Sequence, residues 1–318
     1  MAVFDVFNGD ADGLCALQQL RLSAPCESRL VTGVKRDIAL LERVDAVPGD
    51  QVTVFDISLD KNREALEGLL ARGVSVRWFD HHFAGEIPEH PLLDVHIETL
   101  PDKGTSLLVD DCLGGAYRAW AVVGTFGDNF DARARRAAKP LDLAEPDLAL
   151  LRELGILLNY NGYGAMVEDL HVAPDELFRR IAPHANPLAF IHEDETIATL
   201  RDGYQADMQR ARSVSPEIET DRHFVVILPA EQWARRVSGV YANELAQSAP
   251  DRAHAMLTRL NDGGYVVSVR APLSKPFGAD TLCRRFPTGG GRNAAAGINR
   301  LAESGLARFV DAFVSSVA

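Results

Sequence analysis

Four short clusters carry the chemistry open to this sequence. Asp10 and Asp12 lie one residue apart in "NGDADG"; Asp56 closes "VTVFD"; Asp80, His81 and His82 are consecutive in "FDHHF"; and Asp128 closes "GTFGD". Taken singly, an Asp after a strand is an ordinary helix N-cap. Taken jointly, these carboxylates, with no Lys or Arg for each, repel one another unless cations stand between them. Oxygen-rich donors with His favour Mn²⁺ or Mg²⁺, and the absence of Cys at ligand spacing argues against structural zinc.

The elements that must position these groups read as a parallel α/β unit. "AVFDVF" precedes the first acidic pair, a helical "DGLCALQQLRLS" follows, and strands are predicted near "RLVTGV", at "QVTVFDI" and at "VSVRWFD", with the helix "NREALEGLLARG" between the last two. The strands lack strict polar alternation, as expected when helices cover both sheet faces. In an open parallel sheet ligands bind beyond the carboxyl ends of the strands, where these acids fall. From about 105 to 212 the pattern is mostly helical. Strands then return at "HFVVILP", "RAHAMLTRL" and "GYVVSVRAP", with one helix over 230–247 and a hairpin turn at "NDGG". The polar, Pro-containing "SVSPEIETD" reads as a linker, dividing the chain into 1–214 and a smaller α/β domain at 215–318.

The 318 residues, 47% hydrophobic and 25% charged, suit two globular domains. No apolar run approaches the ~20 residues that span a bilayer, and no basic leader opens the chain, so a cytoplasmic protein without a membrane partner is expected. Cys15, Cys26, Cys112 and Cys283 read as reduced core thiols. A net charge of −12 excludes a protein gripping long duplex nucleic acid. Residues 221–318 nevertheless hold 12 Lys and Arg against 8 Asp and Glu, whereas residues 1–220 hold 21 against 37. An acidic part that holds cations and a mildly basic part that meets an anion would divide the labour.

"FNGDADG", "VFDIS", "FDHHF" and "GTFGD" resemble, in order, four motifs of the DHH phosphoesterases, and "RRFPTGGGRNAAAGI" resembles the core of the DHHA1 domain that follows in many members. That superfamily includes the RecJ exonucleases, oligoribonucleases and family II pyrophosphatases. The resemblance implies a DHH domain followed by a DHHA1-type domain and a centre of two Mn²⁺ or Mg²⁺ ions, whose shared hydroxide attacks phosphorus in line. It also implies that Asp10 binds one ion and Asp12 the other, that Asp56 bridges them, and that His81 and Asp128 complete the second. Asp80 would orient an imidazole, His82 would face the substrate phosphate, and Gly289, Gly290, Gly291 and Arg292 would bind substrate.

Two departures stand out. Asn8 replaces the His that opens the first motif, so it either ligates the first ion weakly or only shapes the turn. Arg292 replaces the His of GGGH; it cannot donate a proton at neutral pH, but its fork suits a terminal phosphate beside a tight turn at 289–291. Arg284 and Arg285 add positive field or lie solvated. Lys35 and Arg36 either touch phosphate or sit in a solvated loop; "GTS" at 104–106 opens a helix toward the site or merely caps it; "NYNGYG" at 159–164 is a candidate for stacking a base.

The expected enzyme is therefore a metal-dependent phosphohydrolase of short nucleotide substrates: oligonucleotides, dinucleotides or nucleoside bisphosphates held in a cleft between lobes. A pyrophosphatase or short-chain polyphosphatase is the alternative, and a non-catalytic nucleotide sensor the second. A homodimer stays open, since nothing in the sequence decides it.

Overall fold

The first apolar run forms β1 (Val3–Asn8), which lies inside a parallel sheet with β2 (Arg29–Gly33), β3 (Gln51–Phe55), β4 (Ser75–Asp80) and β5 (Leu93–Ile97) in the order β2-β1-β3-β4-β5. The chain leaves β1 toward one edge and returns past it to build the other. The strand order thus reverses between β1 and β3, the crevice where ligands collect in such sheets. Register makes that crevice coherent: Phe7 pairs with Phe55 and Phe55 with Phe79, so three strands end at one level. β5 was not legible, because "LDVHI" is short and only partly buried.

This computed structural model describes residues 1–274 and 278–316. They fall into two compact units, Met1–Arg201 and Asp202–Ala318. In the first, helices α1 (Ala11–Ser23) and α2 (Arg63–Ala71) are interleaved with the strands, and α3 (Thr105–Cys112), α4 (Arg118–Gly127), α5 (Asp131–Ala138), α6 (Glu145–Asn161), α7 (Pro174–Ile181) and α8 (Pro187–Glu193) follow. Both sheet faces are covered. Val6, Val54, Val76 and Trp78 share a core cluster with Leu66, Leu69 and Leu70 of α2. Phe7, on the opposite face, meets Phe178 of α7 with ring centres 5.9 Å apart. α1 is buried continuously from Ala11 to Leu20 and packs on β1, α3 and α4.

α9 (Thr196–Ser213) spans the division between the units. The second unit holds β6 (Ile218–Glu219), β7 (His223–Leu228), α10 (Gln232–Arg236), α11 (Val240–Ser248), β8 (Ala253–Arg259), β9 (Tyr265–Arg270), α12 (Ala279–Cys283), β10 (Gly289–Gly291), β11 (Ala295–Leu301) and α13 (Leu306–Ser316). Its mixed sheet runs β10-β11-β9-β8-β7-β6, with β7 and β8 parallel. The turn at 261–264 joins β8 to β9 as a hairpin, closed by Leu260 N–H to Gly264 O at 3.0 Å. Val225, Leu257, Val267, Ile298, Phe309 and Phe313 form the core.

Three local expectations change. The helix expected over 230–247 is two, interrupted at Val237–Gly239, where Gly lowers helix propensity. Two residues of the expected linker pair with β7 as β6, an edge too short to carry a periodic signal. The glycines at 289–291 are not a turn: they form edge strand β10 against β11, and the turn is the next step, closed by hydrogen bonds between Arg292 and Ala295. Of the thiols expected in the core, Cys15 and Cys283 are buried, whereas Cys26 and Cys112 are exposed. Among the described residues no helix is long and apolar enough to cross a membrane.

Candidate metal centre

Asp10 and Asp12 enter the site from opposite ends of one physical problem, the unsatisfied N–H groups of helix starts. Asp10 is the N-cap of α1, with Oδ1 accepting from the N–H groups of Asp12 and Gly13, each at 3.1 Å. Asp12, at the second helical position, reaches instead to the start of α3: its oxygens accept from Thr105 N–H at 2.6 Å and Ser106 N–H at 2.9 Å. Gly104 precedes those donors, and a Cβ there would stand 2.7 Å from the Asp12 carboxylate. The approach requires glycine.

Asp56 follows β3 with φ of 57°, in the left-handed region. Its N–H continues the sheet to Phe79 O at 3.0 Å, and its carboxylate accepts from Thr105 Oγ1 at 3.2 Å. Asp80 ends β4, and its Oδ1 lies 2.7 Å from His82 Nδ1. His81 Nε2 stands 3.4 Å from Asp56 Oδ1 and 3.8 Å from Asp128 Oδ2. Asp128 caps the C-terminal end of α4. His81 is buried, while the His82 side chain is 40% exposed at the rim.

Among the described residues, two groups of donor atoms each lie within 4.8 Å of one another, Asp12–His81–Asp128 and Asp56–His81–His82. The first mixes two carboxylates with an imidazole, a donor set that suits Mn²⁺ or Mg²⁺. The residues present therefore fit a divalent ion. Electrostatics agree. Burial, then the charge of Asp128, pushes the Asp12 carboxyl up to about 6. Burial and the charge of Asp10 raise Asp56 well above the carboxylate range. Burial alone would lower His81, but Asp56, Asp12 and Asp128 outweigh it and raise it to about 10. Asp12 and Asp56, raised by burial and by neighbouring acids, would be relieved by a divalent cation between them.

Around Asn8 and Asp10 the surroundings differ. Asn8 Nδ2 donates to Lys35 O at 3.3 Å, and its buried Oδ1 has no hydrogen-bond partner. The Lys35 ammonium is in contact with Asp10 Oδ2, lies 2.9 Å from Asn159 Oδ1 and 3.4 Å from Asp128 Oδ1, and stands over the Tyr163 ring. Burial opposes that charge, yet Asp10 and Asp128 raise the Lys35 pKa well above its ordinary value. Asp10 is lowered: burial would raise it, and Lys35 more than reverses the effect.

The first unit thus gathers Asn8, Asp10, Asp12, Asp56, Asp80, His81, His82 and Asp128 about one crevice. Sequence reasoning left Lys35 between phosphate contact and solvent; it sits among the carboxylates instead. The "NYNGYG" segment supplies Asn159 and Tyr163 to that lysine. No spacing announces this, because Lys35 and Asn159 are 124 residues apart. Gly289–Gly291 and Arg292 belong to the second unit. Arg292 is exposed, and its side chain has no partner among the described residues.

No protein-family model matches the chain, and no curated protein matches it. Solved structures do. A DHH-domain protein described as a member of the s1p family of ribosomal proteins aligns with 99% of this chain and 86% of its own, at 15% identity and a TM-score of 0.71. An exonuclease RecJ bound to manganese aligns with 99% of this chain and 90% of its own, at 17% identity and 0.62. RecJ from Thermus thermophilus in complex with Mn²⁺ aligns over 99% of this chain and 51% of that one, at 19% identity and 0.64. The chain has the fold of DHH-domain proteins and resembles RecJ in architecture.

Proposed function

We propose that this chain, built on the DHH-domain fold, is a divalent-cation-dependent phosphohydrolase that cleaves phosphodiester or phosphomonoester bonds of short nucleotide substrates. The observation that carries the reading is the Asp12–His81–Asp128 donor set, its first two members buried, with Asp56 beside it. A bound Mn²⁺ or Mg²⁺ supplies Lewis acidity and activated water. The chain's own groups do the rest. The α3 N–H groups orient Asp12, and Thr105 Oγ1 orients Asp56. The hydrogen bond to Asp80 holds the His82 ring at the exposed rim, and despite burial it raises the His82 pKa, so the imidazole suits a phosphate oxygen. Phe83, directly after His82 and 74% exposed, offers an aromatic face to a base and favours a nucleotide over pyrophosphate. Arg292, exposed on the β10–β11 turn, is proposed as a phosphate-binding guanidinium.

The Lys35 contact and Asn8 favour a second reading, in which the site binds a nucleotide without turnover. The test is phosphate and nucleotide release from a panel of dinucleotide, short oligonucleotide, nucleoside bisphosphate and pyrophosphate, with Mn²⁺ and with chelator. Chelator-sensitive release from nucleotides is expected. Release from pyrophosphate alone would transfer the reading to an anhydride hydrolase, and tight binding with no release to a sensor. Arg292→Ala should weaken kcat/KM for a bisphosphate by about 1.5–3 kcal/mol through KM, and leave a monoester unchanged. Equal losses for both would remove Arg292 from the second phosphate.

A further inference from the structure

We propose, resting on the reading of this centre as a metal-dependent hydrolase site, that the chain holds one divalent ion and that the ammonium of Lys35 takes the place of a second.

The placement of Lys35 is built rather than incidental. Its N–H donates to Gly162 O at 2.7 Å and its carbonyl accepts from Asn8 Nδ2, so the backbone is held from two sides. Its side chain runs over the Tyr163 ring, and the ammonium meets three oxygens, from Asp10, Asp128 and Asn159. A lysine ammonium has three protons to donate. Three acceptors and an aromatic face give this one the surroundings of a bound cation.

Lys35 occupies Asp10, a donor that a second ion would need. Such an ion would draw on Asn8, Asp10 and Asp56. Asp10 has one oxygen committed to the α1 cap and the other to Lys35. Asn8 offers one amide oxygen, a weaker donor than imidazole. That leaves Asp56, whose carboxylate already accepts from Thr105 Oγ1, and the Asp56–His81–His82 group shares His81 with the Asp12–His81–Asp128 set. The donor set of the other position, Asp12, His81 and Asp128, keeps its geometry.

Charge points the same way. With Asp80 set against His82, the remaining Asp10, Asp12, Asp56 and Asp128 exceed the combined charge of one divalent ion and an ammonium. Two divalent ions with the ammonium still present would exceed the four carboxylates, with like charges in contact. Asn8 and Lys35 then work in one direction: a weak donor stands where the site already holds a fixed cation. The fixed cation does not dissociate, so Mn²⁺ dependence should follow a single-site curve.

The experiment is Mn²⁺ titration of the metal-stripped full chain, read by calorimetric stoichiometry and by electron paramagnetic resonance, neither of which needs turnover. Wild type is expected to bind one ion with an uncoupled six-line spectrum. Lys35→Met should bind a second with spin coupling, and the Asn8→His/Lys35→Met double variant should hold that second ion more tightly, by about tenfold. Two coupled ions in wild type would overturn the proposal while leaving the hydrolase reading intact. One ion in both wild type and Lys35→Met would also overturn it, since the lysine would not be what excludes the second. No binding in wild type would overturn the proposal and the reading beneath it together. Lys35→Gln, which keeps a hydrogen-bond donor toward Asp10, replaces Lys35→Met if that variant loses its native circular dichroism. The wild-type stoichiometry remains decisive in either case.

Discussion

Asp56 leaves β3 with φ of 57°, a conformation that a non-glycine residue adopts at a cost and that Asn and Asp tolerate best. The strain turns its carboxylate back over the strand ends, within 3.4 Å of His81 Nε2. Charge and conformation can therefore be separated. Asp56→Asn keeps the left-handed turn and removes the charge, so thermal stability without metal should be unchanged or slightly higher, while Mn²⁺ affinity falls by more than about tenfold. Calorimetry with a melting curve checks both; unaltered affinity would remove Asp56 from the centre. At this scale most of the candidate site was legible, because carboxylate pairs and a His-His step after apolar runs are conspicuous as residue types. Lys35 was not, since a lysine in a loop is ordinary until the groups around it are known.

Elements explain why the residues meet. The N-terminus of α3 aims two N–H groups at Asp12, the first of the two readings that "GTS" left open. Paired register of Phe7, Phe55 and Phe79 brings three strand ends level, and no local pattern encodes register between strands so far apart. The glycines of β10 illustrate the opposite case, a conspicuous sequence whose role changed. A Cβ on Gly289 would stand 1.8 Å from Cys283 O, while one on Gly290 would meet nothing within 4 Å. Gly289→Ala should destabilise the chain by about 2 kcal/mol or more, and Gly290→Ala by no more than about 0.5. Urea denaturation decides it; equal effects would mean that the close approach of β10 to the C-terminal end of α12 does not govern this edge.

On the scale of the whole molecule, charge and pH couple the units to their surroundings differently. The acidic residues 1–220 hold the carboxylate centre, while the basic remainder holds Arg292. Away from both, His254 on β8 is 2% exposed, its Nδ1 has no hydrogen-bond partner, and burial followed by the charge of Arg252 lowers its pKa to about 4. The unfolded chain takes up this proton as pH falls through about 6.5, the folded chain only near 4. The unfolded state thus binds more protons in that window, and stability falls as pH drops from 6.5 toward 4, by up to roughly 3 kcal/mol from this group. His254→Leu should flatten the urea midpoint over that range relative to wild type. A parallel decline in both proteins would assign the acid sensitivity to other groups.

Composition, strand periodicity and the order of the acidic motifs determined the α/β class and the parallel sheet, and named the acidic and imidazole groups of the candidate centre, because those properties are carried by residue type and short-range spacing. Tertiary structure alone decided that Asp10 faces an ammonium, that α3 holds Asp12, and that the glycine run is a strand. Each of these depends on contacts between segments distant in the chain, which local periodicity does not encode.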